Sequence, residues 1–115
     1  MPGRLTLPAR LRLRHKRDFD AAYAGGKRSA DGFFAVTARA NTAGVPRLGL
    51  AVAVRAAGNA VRRNRLRRLI RESFRLHQRA LPPLDVVVSV RPKAHAASAR
   101  ELAASLAALW TRLGH

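Results

Sequence analysis

Between residues 55 and 79 the chain carries nine arginines and one acid, Glu72, and the neutral amide of Asn64 interrupts the arginine run. Guanidinium groups fork phosphate oxygens and stack on bases, while an amide bonds sugar or base edges. This is the chemistry of gripping a polyanion, not of breaking a bond. Like charges three or four residues apart destabilise an isolated helix, so an anionic partner must offset the repulsion. At the start of the segment, Gly58-Asn59-Ala60 leads into free backbone N–H groups beside Arg62 and Arg63, a ready phosphate site. A second candidate pair is Phe19 and Tyr23, four residues apart beside Lys16 and Arg17. Aromatic faces accept any base, so the pair reads either as a stacking platform for an unpaired strand or as core packing.

Groups that make or break bonds are scarce. His15, His77, His95 and His115 have no metal-ligand spacing. His77 reads as a residue at a helix–core boundary. Ser29, Ser73, Ser89, Ser98 and Ser105 stand in no nucleophile elbow, and Ser98 is better explained as a helix cap. There is no Cys, and six acids leave little for a carboxylate pair or a multi-carboxylate metal site. No Gly-rich phosphate loop leads into a Lys. The residues alone describe a small basic RNA-binding α+β domain without catalytic apparatus of its own.

The elements that position these groups belong to a chain of 115 residues with 23 Lys plus Arg against 6 Asp plus Glu, a net charge of +17. Twenty of the basic residues are Arg. The length suits one domain, and the 48 % hydrophobic content suits one modest core. No apolar run is long enough to cross a membrane. Residues 1–9 read as a flexible basic arm rather than a targeting signal, and 10–115 as a single RNA-binding domain. A short helix is predicted over 16–24, closed by Gly25-Gly26, with strands over 33–40 and 47–55. The long helix is predicted over 59–80, with Asn59 as N-cap and Leu66, Leu69, Ile70 and Phe74 along its apolar stripe. A buried strand follows over 84–91, then a Ser98–Glu101 capping box and a last helix over 99–113 with Trp110 in the core. There is room for one more strand between 27 and 47.

The block Gly58 to Arg75 resembles the signature helix of the bacterial ribonuclease P protein component, through Arg63-Asn64-Arg65, then Leu66-Arg67-Arg68-Leu69 and Arg71-Glu72. Arg17-Asp18-Phe19 to Tyr23, Pro46 to Leu50, Leu81 to Val88 and Leu106 to Trp110 also resemble that family. The resemblance implies an α-β-β-β-α-β-α sandwich with one central sheet and a left-handed βαβ crossover, the fold of a ribosomal-protein domain. It implies an accessory subunit of a cytoplasmic endoribonuclease that removes the 5′ leader of precursor tRNA. The catalytic centre would lie in the RNA subunit with its Mg²⁺. The protein itself would bind no cofactor and need no protein partner or membrane.

The resemblance implies that Asn59, Arg62, Arg63, Asn64, Arg65, Arg67, Arg68 and Arg71 face the catalytic RNA. It places the leader on Lys16, Arg17, Phe19, Tyr23, Phe34, Val36, Arg55, Arg91 and Lys93, with Phe34 and Val36 on the sheet floor. Relatives usually carry two adjacent Lys where this chain has Val54 and Arg55, so one charge is missing there. Two other readings share some of these features. A ribosome-associated structural protein would share the charge but need no aromatic cleft. A helix-turn-helix DNA binder would need a short partner helix before the Arg helix, where this chain has a strand.

Overall fold

Asn59 begins the long helix as expected: its side chain accepts a hydrogen bond from Arg62 N at 3.0 Å. The Ser98–Glu101 box closes reciprocally, with Glu101 N donating to Ser98 Oγ at 3.1 Å and Ser98 N to Glu101 Oε1 at 3.0 Å. The computed structural model describes residues 7–52 and 59–113. In chain order these form α1 (Lys16–Gly25), β1 (Lys27–Ala30), β2 (Phe34–Ala40), β3 (Arg47–Ala51), α2 (Ala60–His77), β4 (Leu84–Val90) and α3 (Ala99–Leu113), with short 3-10 turns between some of them. The long helix ends three residues before the expected position 80, because Gln78–Ala80 tighten into a 3-10 turn. The expected end of the strand at 55 lies outside the described residues, together with Val54, Arg55 and Gly58.

The sheet order is β1-β2-β4-β3. β2 pairs antiparallel with both β1 and β4, and β3 pairs parallel with β4, so α2 is the crossover of a βαβ unit. β1 is the additional strand for which the sequence left room.

Strand alternation sorts side chains to two faces. On one face Phe34, Val36, Val86 and Val88 meet Leu66, Ile70 and Phe74 of α2 and Leu102, Leu106 and Trp110 of α3 in the main core. Phe74 and Trp110 pack edge to face with ring centroids 5.7 Å apart. Buried Trp110 Nε1 donates to Ser73 Oγ at 2.8 Å. On the other face a small cluster of Leu13, Phe19, Ala22 and Val87 seats α1. Gly26 lets the chain leave α1 directly over β2, since a Cβ there would lie 2.7 Å from Thr37 Cγ2 and 2.9 Å from Ala38 O.

The packed domain begins earlier than residue 10. Leu7 is 1 % exposed and Leu11 2 %, both in the main core. Leu13 N donates to Leu48 O at 2.8 Å, which fastens this segment along the free edge of β3. Of the expected basic arm, positions 1–6 lie outside the described residues.

Candidate nucleic-acid interface

α2 turns about 100° per residue, and its buried Leu66, Ile70, Ser73 and Phe74 define the side toward the core. Going round the helix away from that side, Arg67, Arg71, Asn64, Arg68 and Arg65 follow in order, with Glu72, held by Arg75, falling between Arg68 and Arg65. Arg65 and Arg68 are exposed, whereas Arg67 and Arg71 are half-buried. Arg63 lies at the rim of the core, where its Nε is buried without a hydrogen-bond partner. Arg62 points to the opposite flank, with its guanidinium 3.2 Å from His95 Nδ1. The predicted set therefore divides between one belt, two flanking positions and the capping residue Asn59.

The acids explain why the belt stays cationic. Among the described residues the salt bridges are Lys16–Asp20, Arg47–Asp85 and Arg75–Glu72. Asp31 accepts from the backbone N–H groups of Phe33 and Phe34 and from the Ser105 hydroxyl, tying the β1–β2 turn to α3. Glu101 caps α3. These engagements account for five of the six acids, and none is with Arg62, Arg65, Arg67, Arg68 or Arg71. The anion site expected at the helix start is reduced, because the Asn59 side chain already occupies Arg62 N.

A cleft of about 470 Å³ opens between the N-terminal segment, β3 and α2. Asn64, Arg67 and Arg71, spaced i, i+3, i+7, line one side, and Arg12 and Phe19 line the other. Burial, and then the neighbouring charges of Arg12 and Arg67, push the Arg71 guanidinium below the ordinary arginine value. Arg12 was not predicted as a site residue. Its only sequence signal is its place in an acid-free basic run.

On the α1 face, Phe19 takes the packing role and also borders the cleft. A Cβ on Gly49 would lie 2.8 Å from two Phe19 ring carbons, so the ring lies directly over that glycine. Tyr23, one turn on, is half exposed. Lys16 and Arg17 are exposed at the start of α1, although Lys16 is engaged by Asp20 at 2.7 Å. Phe34 and Val36 are not on this floor. Both are 0 % exposed and belong to the main core on the opposite face. By register the floor consists of Ala35 and Thr37 of β2, Val87 and Ser89 of β4 and Gly49 and Ala51 of β3. Ala35, Thr37 and Val87 are buried, whereas Ser89 and Ala51 are half-buried. Arg91 and Lys93 are exposed just beyond the end of β4.

Among the described residues no group of three or more His, Cys, Asp or Glu is placed to hold a metal ion. No described helix is long and apolar enough to cross a membrane.

The sequence profile of the family described as Ribonuclease P matches residues 7–114. The chain belongs to the ribonuclease P protein family. It is 38 % identical over 109 residues to the ribonuclease P protein component of Photorhabdus laumondii, covering 95 % of this chain and 92 % of that one. It is 42 % identical over 104 residues to that of Halorhodospira halophila, covering 90 % of this chain and 85 % of that one. Among solved structures it resembles the RNase P protein of Staphylococcus aureus at a TM-score of 0.81 and 31 % identity, over 85 % of this chain and 90 % of that one. The Thermotoga maritima RNase P protein gives a TM-score of 0.79 and 35 % identity, over 88 % of this chain and 96 % of that one. As a ribonuclease P protein the chain has a subunit role in tRNA 5′ processing, with RNA as its partner.

Proposed function

We propose that this chain serves cytoplasmic ribonuclease P by holding two RNAs at once. The outward belt of α2 binds the catalytic RNA. The α1 face, from Phe19 and Tyr23 across the small-residue floor toward Arg91 and Lys93, binds the unpaired 5′ leader of precursor tRNA. Arg62, Arg63 and Asn59 border the first surface, and Lys16, Arg17 and Arg55 belong with the second. Leader removal and the Mg²⁺ it uses are assigned to the RNA subunit. The protein needs neither a cofactor nor a protein partner.

The observation that supports this reading best is the distribution of acids. Five of the six are engaged by groups other than Arg62, Arg65, Arg67, Arg68 and Arg71, so the α2 belt keeps its charge beside an aromatic-edged face. Arginines that neutralise phosphates reduce repulsion between RNA elements, so the folded RNA needs less added cation. Contacts to phosphates and base faces carry little sequence information, which suits leaders of varied sequence.

The test compares precursor and mature tRNA binding to the assembled holoenzyme. Precursor should bind more tightly, and Phe19→Ala should reduce that preference by roughly 5- to 150-fold, the loss of one base stack. Equal affinity for precursor and mature tRNA in the wild type would remove the leader from the account. The ribosomal reading would then gain.

A further inference from the structure

Arg62 and His95 stand 33 residues apart in the chain, yet the Arg62 guanidinium lies 3.2 Å from His95 Nδ1. Both side chains are exposed, and both are carried on fixed backbone. Arg62 N is held by the Asn59 cap of α2. His95 sits on the 3-10 turn Pro92–Ala96, which Ala94 pins into the core at 1 % exposure. The turn is closed by Ala94 N donating to Arg91 O at 3.0 Å and Ala97 N to Ala94 O at 3.2 Å. With Ala94 inside, its neighbours Lys93 and His95 stay outside.

A guanidinium only donates, so His95 Nδ1 accepts and the imidazole in this contact is neutral. Protonating it there would set two cations against each other. An anion between them reverses the balance, because it accepts from Arg62 and from a protonated His95 together. Anion and proton therefore favour each other's binding.

The carboxylates of the fold do not supply that anion. The charged groups on the surrounding elements are Arg62 on α2, Arg91 and Lys93 beside the turn, and Arg100 and Glu101 in the first turn of α3. Glu101 is closed on Ser98, and no described salt bridge includes Arg62 or His95. Arg62 stands three residues before Arg65, next to it on the helix surface. The pair thus carries the α2 belt round to the turn at 92–96. Two donors make one phosphate contact, which gains its effect within a longer series such as that belt.

We propose that Arg62 and His95 form a clamp for one phosphate of the catalytic RNA, and that His95 takes up a proton when the phosphate enters. An imidazole changes charge between pH 5 and 8, so this contact strengthens as pH falls through that range. The inference rests on the reading that the outer surface of α2 binds the catalytic RNA, and adds the turn at 92–96 to that surface.

The experiment is filter binding of transcribed ribonuclease P RNA to the full-length chain, across a range of salt, at pH 6 and at pH 8. His95→Gln keeps an acceptor for Arg62 but takes no proton. At pH 6 the wild type should show a plot of log affinity against log salt steeper than that of His95→Gln by about 0.7–0.9, roughly threefold in affinity between 50 and 200 mM salt. At pH 8 the two slopes should converge. Arg62→Gln should flatten the plot at both pH values, because a guanidinium keeps its charge throughout. His15→Gln, away from the clamp, should steepen on acidification as the wild type does. Circular dichroism confirms that each variant folds.

Parallel plots for wild type and His95→Gln at pH 6 would overturn the proposal. So would a difference of the same size at both pH values, which is the mark of a merely structural contact. A pH-dependent difference seen with precursor tRNA on the holoenzyme, and not with the catalytic RNA, would move the phosphate to the leader and overturn the assignment. Failure of the wild type to bind the catalytic RNA at either pH would sink the proposed function itself, so the two readings fail distinguishably.

Discussion

Replacing Arg65 and Arg68 together by Gln probes the α2 belt without touching the core. Both side chains are exposed, and neither is in a described salt bridge. Gln is nearly as good a helix former as Arg, so α2 should persist. If each guanidinium neutralises one phosphate of duplex-like RNA, each loss flattens the plot of log affinity against log salt by about 0.9. Over a fourfold salt range, such as 50 to 200 mM, one such contact changes affinity roughly 3.5-fold, and two change it roughly 12-fold. The assay is filter binding of transcribed ribonuclease P RNA across that range. The double variant should show a slope shallower by about 1.8. Arg75→Gln is the internal comparison, because Arg75 already holds Glu72 at 2.6 Å and should contribute little to the slope. Parallel salt plots for wild type and double variant would refute the reasoning. So would a loss of slope in Arg75→Gln as large as in the double variant.

Three further outcomes follow from the packing and the charge. Ser73→Ala leaves the buried Trp110 N–H without its partner and should cost about 1–3 kcal/mol, read as a lower urea midpoint in sulfate buffer. At Asp31, burial raises the carboxyl pKa, but the bonds from Ser105, Phe34 and Phe33 and the charge of Arg112 outweigh it and hold it below the usual carboxylate value. A depressed folded-state pKa means the unfolded chain binds the extra proton first. This stabilisation is therefore present above about pH 3.9 and lost as pH falls through the folded-state value. Asp31→Asn should flatten that part of the acid unfolding curve, and an unchanged curve would contradict the assignment. With a net charge of +17, the free chain should be partly unfolded at low ionic strength and should gain helical circular dichroism when sulfate is added. A signal that sulfate leaves unchanged would contradict this.

Much of this was legible from sequence where a local rule has one solution. Asn59 and the Ser98–Glu101 pair cap helices because no other nearby side chain can satisfy those N–H groups. Val86 to Val88 form a buried strand, as a continuous apolar run implies. The facing of β2 was not legible. Phe34 through Ala38 are buried on both faces, so the run shows no alternation and nothing local tells odd from even. Only pairing with β4, where Val36 meets Val88 and Thr37 meets Val87, sends Phe34 and Val36 to the core and makes Ala35 and Thr37 the floor. β1 was hidden for a different reason. Its residues, Lys27 to Ala30, have no apolar pattern, and the ladder to β2 defines it. The N-terminal leucines were obscured by the arginines and prolines among them, so Arg12 entered the cleft only when the segment was seen along β3.

On the proposed function, this protein enables an RNA to remove the 5′ leader of precursor tRNA. The direct measurement is cleavage of a precursor tRNA by a transcribed bacterial ribonuclease P RNA at low Mg²⁺, with and without the chain. Leader removal only in the presence of the protein is the predicted result. Equal cleavage without it, while the protein is folded and bound to the RNA, would contradict the claim.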